Sequence, residues 1–130
     1  MAPALKILAV DDNPSIRHSM RFIFAGPRYE VTGVQDAGDA LAQLDASFNG
    51  FDVIIVDQKM PHLTGVELVQ EIRRRSFAGK IMVLSAHLSP EICEAYQQMD
   101  VHVILDKPFN IQELRSTVDR LLARHGQSVS

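Results

Sequence analysis

The sequence predicts an α/β protein with a doubly wound parallel sheet, and three observations support this fold class. Short apolar runs alternate with longer segments of helical period, which is typical of βα units around a sheet buried on both faces. The chain has 130 residues, a length that fits one domain. Its residues are 46% hydrophobic and 22% charged with a mean hydropathy of +0.00, which indicates a globular chain rather than a disordered or membrane-embedded one.

Five apolar runs are predicted to form strands, and they cover residues 7–10, 29–34, 53–56, 81–84 and 101–105. The second run alternates between apolar and polar residues, which favours an edge strand. The first, third and fourth runs are almost uniformly apolar, so we expect them in the centre of the sheet.

Five segments of helical period follow these runs. Asn13 before Pro14 and Ser89 before Pro90 each pair a capping residue with proline at the first helical position, and Asn110 caps the last segment. The helices are predicted from 14 up to Gly26, over 37–46 and 64–75, from 90 onward, and from 111 to near Gly126. Their predicted inward residues are Ile16, Met20, Ile23 and Phe24; Ala37, Ala40, Leu41 and Leu44; Val66, Val69 and Ile72; Ile92, Tyr96 and Met99; and Ile111, Leu114, Val118, Leu121 and Leu122.

We expect a single domain over residues 1–126 and a frayed tail over 127–130, because no repeat or linker-like segment divides the chain. Cys93 is the single cysteine and cannot form an intramolecular disulfide. The apolar stretch that ends at Asp11 is too short for a secretory signal or a membrane span, so a cytoplasmic location is expected. A net charge of −3 does not favour nucleic acid or a membrane surface as a direct partner.

Polar residues follow the predicted strands at the edge where ligands bind in doubly wound folds. They are Asp11 and Asp12 after the first strand, Asp57 after the third, Ser85 after the fourth and Lys107 just beyond the fifth. Three clustered carboxylates repel one another unless a cation neutralises them, and an all-oxygen site suits Mg²⁺ better than zinc. The lysine and serine could orient a transferred anionic group such as a phosphoryl group.

These residues and their neighbours resemble the receiver domain of bacterial two-component response regulators. The resemblance spans residues 5–124 and is carried by Asp11-Asp12, Asp57 with Met60-Pro61 and Gly65, Ser85-Ala86, and Lys107-Pro108-Phe109. It implies a flavodoxin-like (βα)5 fold whose five-stranded parallel sheet has the strand order 2-1-3-4-5.

The resemblance also implies the chemistry of the site. Asp57 would accept a phosphoryl group from a histidine kinase or a histidine phosphotransfer protein. Asp12, Asp57 and the backbone carbonyl of Lys59 would bind Mg²⁺ or Mn²⁺, with Asp11 acting mainly through a metal-bound water. Lys107 would pair with Asp57 and then with the phosphoryl group, through a loop whose Lys107–Pro108 peptide bond is cis in the family.

In the same family Ser85 would move toward the phosphoryl group and act as a switch. Many receivers carry a switching Tyr or Phe three residues before the lysine, but this chain has Ile104 there, so rotation of an aromatic ring at this position cannot report phosphorylation. Lys59 and His87 occupy the two positions that control access of water to the acyl phosphate. We expect them to set its lifetime, which the dephosphorylation rates of their alanine variants would measure.

The leading interpretation is a phosphorylation-dependent binding switch that is not a turnover enzyme on an external substrate. The face of the fourth helix, fifth strand and fifth helix would contact an unknown downstream protein or form a homodimer. One alternative is a receiver that forms part of a larger response regulator or hybrid kinase. Another is a phosphohydrolase of the haloacid dehalogenase type, which is disfavoured because its nucleophile follows the first strand in an Asp-x-Asp arrangement.

Several other residues receive structural interpretations. His18 and His125 are expected at solvent-facing helix positions, and His62 and His102 have no partner at metal-ligand spacing. A solvated or packed role is therefore expected for each of these histidines. Cys93 is interpreted as a half-buried helix residue. The run 73–75 of three arginines is interpreted as a solvated helix end, where cations favour the helix dipole.

Overall fold

The sheet has the predicted strand order. The computed structural model describes residues 4–46, 50–58, 64–86, 89–107 and 110–123. The strands are β1 (Leu5–Val10), β2 (Tyr29–Val34), β3 (Val53–Asp57), β4 (Lys80–Ser85) and β5 (Val103–Asp106). They pair in parallel in the order β2-β1-β3-β4-β5, which confirms the doubly wound, flavodoxin-like fold class.

The burial of the strands explains their positions. β3 is buried along its whole length, and β1 and β4 are buried over four and five of their six residues, as central strands require. β2 is only half-buried and lies at one edge, as predicted. β5 starts at Val103 instead of residue 101, because the Val101 N–H bonds the Tyr96 carbonyl and so belongs to the turn that ends the preceding helix.

The helices are α1 (Pro14–Ile23), α2 (Ala37–Ala46), α3 (Gly65–Arg74), α4 (Pro90–Gln98) and α5 (Ile111–Leu122). The three predicted caps are confirmed, since Asn13, Ser89 and Asn110 each accept a backbone N–H from the first turn. Thr64 and Glu67 form a reciprocal capping box at the start of α3. The predicted tail over 127–130 lies outside the described residues.

Apolar side chains pack on both faces of the sheet. Successive residues of β1 alternate between the two cores: Leu8 and Val10 face α2, α3 and α4, while Ile7 and Ala9 face α1 and α5. Most predicted inward residues belong to these cores. One prediction is wrong: Ile111, the first residue of α5, is 52% exposed. Val66 is partly buried and packs against the core as predicted, and the neighbouring Leu68 is fully buried.

The arginine run is not a solvated helix end, which corrects its interpretation. Arg73 donates to the carbonyls of Met99 and Asp100 at 2.8 Å each, so it ties the end of α3 to the end of α4. Arg75 pairs with Asp45 at 2.9 Å. Arg74 alone of the three is largely exposed. Sequence spacing did not reveal these contacts because the partners lie on other elements.

The described part of the chain contains no helix that is both long and apolar enough to cross a membrane. Cys93 is half-buried on α4, as predicted. His18 is exposed on α1, which also agrees with its prediction, while His62 and His125 lie outside the described residues.

His102 forms two hydrogen bonds with Ile81, near the start of β4. Its backbone N–H donates to the Ile81 carbonyl at 2.9 Å, and its Nδ1 accepts the Ile81 N–H at 3.2 Å. Burial lowers the pKa of His102, and the positive charges of Lys80 and Arg73 lower it further. Protonation of Nδ1 would remove the acceptor of the Ile81 N–H, so the neutral ring fits the folded state.

This arrangement predicts a pH dependence of stability. Because the folded-state pKa of His102 lies below 6.5, the unfolded chain binds more protons between the two values. The His102 contribution is complete above pH 6.5 and is lost as the pH falls through the folded-state pKa. His102→Asn keeps a hydrogen-bond acceptor but has no titrating ring. We therefore expect its free energy of unfolding, measured by urea unfolding below the folded-state pKa and above pH 6.5, to lack this part of the pH dependence. His18→Asn is the control, and equal pH profiles for His102→Asn and wild type would contradict the prediction.

Candidate functional site

Three carboxylates meet at the carboxyl ends of β1 and β3. Val10 pairs with Val56 in the sheet, so Asp11 and Asp12 after β1 lie beside Asp57 at the end of β3. One oxygen from each of the three carboxylates lies within 4.8 Å of the others. Asp11 and Asp57 are buried, with exposed fractions of 3% and 5%, whereas Asp12 is exposed. The predicted acidic cluster is therefore present.

The close approach of the three carboxylates has its clearest effect on Asp11. Its Oδ1 accepts the Asn13 N–H at 3.0 Å, while its Oδ2 is buried without a hydrogen-bond partner among the described residues. Burial raises the pKa of Asp11, and the charges of Asp57 and Asp12 raise it further against the opposing effects of the Asn13 N–H and Lys107. A buried, unpartnered carboxylate oxygen facing two other carboxylates fits a hard divalent cation held by oxygen ligands.

Lys107 compensates part of the negative charge. Its Nζ donates to Asp57 Oδ1 at 2.8 Å, and the lysine side chain is 26% exposed. The Lys107 backbone N–H donates to the Ser85 carbonyl at 2.8 Å, which holds the segment after β5 against the end of β4. One cation against three carboxylates leaves an excess of two negative charges, if all three are ionised, for a bound cation to offset.

The other predicted site residues divide into two groups. Ser85 ends β4 and is 2% exposed, so it lies at the same edge of the sheet as Asp57. Ile104 is half-buried in β5 and packs against the core that also contains Tyr96. Lys59, His87 and Pro108 lie outside the described residues, so their roles and the cis peptide bond stay predictions.

Sequence reasoning missed a contact beside the site, between Tyr96 of α4 and Gln58. Tyr96 was predicted only as an apolar-face residue, yet its hydroxyl donates to Gln58 Oε1, directly after Asp57. Burial raises the pKa of Tyr96, and the negative charge of Asp57 adds to this effect, so the hydroxyl keeps its proton. A tyrosine on a buried face usually finds a partner for its hydroxyl, which is the signal that could have been used.

The fold and the carboxylate cluster together define a class of protein, and comparison with known families identifies this class. Residues 7–119 match the response regulator receiver domain, and the chain belongs to this family of signalling domains. The chain superposes on the chemotaxis protein CheY4 of Vibrio cholerae with a TM-score of 0.83 and 36% identity, over 92% of this chain and 99% of that chain. The receiver domain of Francisella response regulator 1452 gives a TM-score of 0.80 and 30% identity, over 90% and 95% of the two chains.

Curated relatives are longer proteins. The response regulator MprA of Mycobacterium sp. strain KMS is 32% identical over 92% of this chain, and this match covers 51% of MprA. The DNA-binding transcriptional regulator NtrC of Salmonella typhimurium is 27% identical over the same share of the chain, which corresponds to 25% of NtrC. The chain thus spans about a quarter to a half of the length of these two relatives.

Removing one carboxylate from the cluster should stabilise the metal-free protein. Asp11→Asn can keep an oxygen that accepts the Asn13 N–H but removes a buried charge. Two unit charges about 4.8 Å apart repel by about 1 kcal/mol even at the dielectric constant of water, so we expect the free energy of unfolding in EDTA to rise by at least about that amount. Urea unfolding measures this change.

Asp106→Asn provides the matched control for this measurement. Asp106 is an exposed carboxylate at the end of β5, and its replacement should leave the stability nearly unchanged. If Asp11→Asn were as stable as wild type or less stable in EDTA, charge repulsion would not dominate at this cluster.

Proposed function

We propose that this receiver domain accepts a phosphoryl group on Asp57 from a phosphohistidine of a histidine kinase or a histidine phosphotransfer protein. One observation carries the proposal: a buried carboxylate at a strand end is bonded by a lysine amine at 2.8 Å beside two further carboxylates. A carboxylate held in this way is a competent nucleophile whose developing charge has a cation beside it.

The transfer conserves atoms and charge. An oxygen of Asp57 forms a bond to phosphorus while the bond from phosphorus to the donor imidazole nitrogen breaks. The imidazole keeps the electron pair of that bond and takes a proton from water. Lys107 then pairs with phosphoryl oxygens, because its amine already lies against Asp57 and needs only a small movement to follow the new charge.

Asp11, Asp12 and Asp57, with the backbone carbonyl of Lys59, are proposed to hold Mg²⁺ or Mn²⁺. The unpartnered Oδ2 of Asp11 and the short spacing of the three carboxylates support this assignment. When bound, such a cation supplies charge neutralisation for the incoming phosphoryl oxygens. Lys59 and His87 are proposed to control how water reaches the acyl phosphate.

The output is proposed to be a change of protein contacts on the face of α4, β5 and α5. Ser85 is the proposed switch, since its carbonyl already bonds the segment that carries Lys107. The same face would contact a downstream protein or form a homodimer, and a cytoplasmic location belongs to this proposal. The phosphohydrolase alternative is not favoured, because the buried, lysine-bound carboxylate follows the third strand instead of the first.

Phosphorylation in vitro tests the proposal directly. We expect the wild-type chain, incubated with acetyl phosphate and Mg²⁺, to gain the mass of one phosphoryl group. Asp57→Asn should abolish this gain because it removes the nucleophile, while the exposed Asp106→Asn should retain it. Intact-protein mass spectrometry measures the gain, and an undiminished gain in Asp57→Asn would overturn the assignment.

An apolar groove next to the site supports a docking position for the phosphoryl donor. It has a volume of about 430 Å³ and is formed by α1, the start of α5 and Lys107. Ile16 and Ile23 line it from α1, and Ile111 lines it from α5 with 52% of its surface exposed. Because Lys107 also bonds Asp57, a protein that fills this groove would place its phosphohistidine close to the nucleophile.

A charged side chain in this groove should slow phosphotransfer from a protein donor but not from a small-molecule donor. We expect Ile111→Glu to slow phosphotransfer from a histidine kinase that phosphorylates the wild-type chain by about tenfold, the loss expected if Ile111 is one of the few interface residues that contribute more than about 1 kcal/mol to binding. Phosphorylation by acetyl phosphate should keep its wild-type rate. Gln112→Glu places the same charge on the neighbouring exposed position and is the control. Equal slowing with both donors would show that Ile111→Glu damages the site itself and would refute docking in the groove.

A further inference from the structure

Three structural elements converge on Gln58, the residue directly after Asp57. Its backbone N–H donates to the Leu84 carbonyl of β4 at 2.9 Å, and its carbonyl accepts the Gly65 N–H at the start of α3 at 3.0 Å. Its side-chain Oε1 accepts the hydroxyl of Tyr96 from α4. The orientation of the peptide that follows Asp57 is therefore determined by β4, α3 and α4 together.

Tyr96 is the main attachment of α4 to the protein. It is 0% exposed and is the one buried residue among the nine residues of this helix. Ile92 and Met99 are only partly buried against the same core. Arg73 also holds the end of α4, through the carbonyls of Met99 and Asp100, so Tyr96 is the one fully buried side chain through which the helix itself is attached.

The space for the Tyr96 hydroxyl exists because residue 65 is glycine. A Cβ at Gly65 would lie 2.5 Å from Tyr96 Oη and 2.9 Å from Gln58 Oε1, which is closer than such atoms approach. A side chain at this position would displace the hydroxyl from its partner. The start of α3 is thus shaped around the contact between Tyr96 and Gln58.

Charge at Asp57 reaches the Tyr96 hydroxyl. The Tyr96 hydroxyl bonds the side chain of Gln58, the residue directly after Asp57. Burial raises the pKa of Tyr96, and the negative charge of Asp57 adds to this effect. Phosphorylation would replace one negative charge at Asp57 by about two and add hydrogen-bond acceptors beside Gln58. The Gln58 side chain and the hydroxyl that bonds it would both respond to this change.

We propose that Tyr96 is a positioning residue that acts through Gln58 and couples the state of Asp57 to helix α4. The hydroxyl orients Gln58 in the unphosphorylated protein, and phosphorylation shifts this bond and with it the anchor of α4. The inference rests on the proposed phosphorylation of Asp57. Because Ile104 supplies no hydroxyl in this chain, Tyr96 is the side chain that carries the signal in this proposal.

The chain contains its own probe for this coupling. It has two tyrosines and no tryptophan, so Tyr29→Phe leaves Tyr96 as the main source of aromatic fluorescence. Tyr29 lies at the start of β2, where its hydroxyl donates to Asp119. We expect the Tyr96 emission in Tyr29→Phe to change when acetyl phosphate is added in the presence of Mg²⁺, because the Tyr96 hydroxyl changes its hydrogen-bond partner. Tyr96→Phe, which retains Tyr29, should show no such change.

Amide hydrogen exchange of α4 provides a second readout that a purely structural role would not move. In the wild type, phosphorylation should change the exchange of α4, and Tyr96→Phe should reduce this difference at least about twofold at equal phosphoryl occupancy. Tyr29→Phe removes the other bonded hydroxyl and should retain the wild-type difference. If Tyr96→Phe does not fold, the emission of Tyr29→Phe still decides the question.

Mass measured on the same samples separates the two proposals. If Tyr29→Phe and the wild type gain no phosphoryl group, the proposed function fails and the coupling fails with it. If the group is gained while Tyr96 emission stays constant, or Tyr96→Phe keeps the full exchange difference in α4, the coupling alone is refuted.

Discussion

Crowding of negative charge at the edge of a parallel sheet is the constraint on which the rest of this structure depends. β1 and β3 are neighbours and run in the same direction, so the carboxylates that follow them cannot separate without breaking the ladder between the two strands. Asp11 therefore stays buried beside Asp57 with one oxygen unpartnered among the described residues, and Lys107 is drawn to 2.8 Å from Asp57. A site with stored repulsion of this kind favours ligands and modifications that rearrange charge.

Different helices cover the two faces of the sheet, and the carboxylate cluster lies at the edge between these faces. α1 and α5 cover one face of the sheet, and α1 together with the start of α5 forms the apolar groove that reaches Lys107. α2, α3 and α4 cover the other face, where Tyr96 and Gln58 connect α4 to the residue after Asp57. Asp57 at the end of β3 is therefore linked to side chains that belong to both faces.

The hydrogen bonds of Arg73 and His102 illustrate why some features could not be predicted from the sequence. Arg73 and His102 look like surface residues in the pattern, yet Arg73 bonds the carbonyls at the end of α4 and His102 bonds the start of β4. Their partners are 26, 27 and 21 residues away in the chain and belong to other elements. Periodicity reports which face of an element is apolar and says nothing about which backbone group a long polar side chain will reach.

Apolar runs, capping residues and the polar residues after each run were sufficient to predict five βα units and a cluster at one edge, since these depend on local propensity and on the geometry of parallel strands. Asp11, Asp12 and Asp57 meet there as expected. The pairing of Lys107 with Asp57 was also expected, from the family resemblance, and it is present. The unpartnered oxygen of Asp11 and the reach of Tyr96 to Gln58 were decided by packing. These features depend on distances between elements, which follow from how whole faces of the protein fill space and are not encoded in the spacing of any single segment.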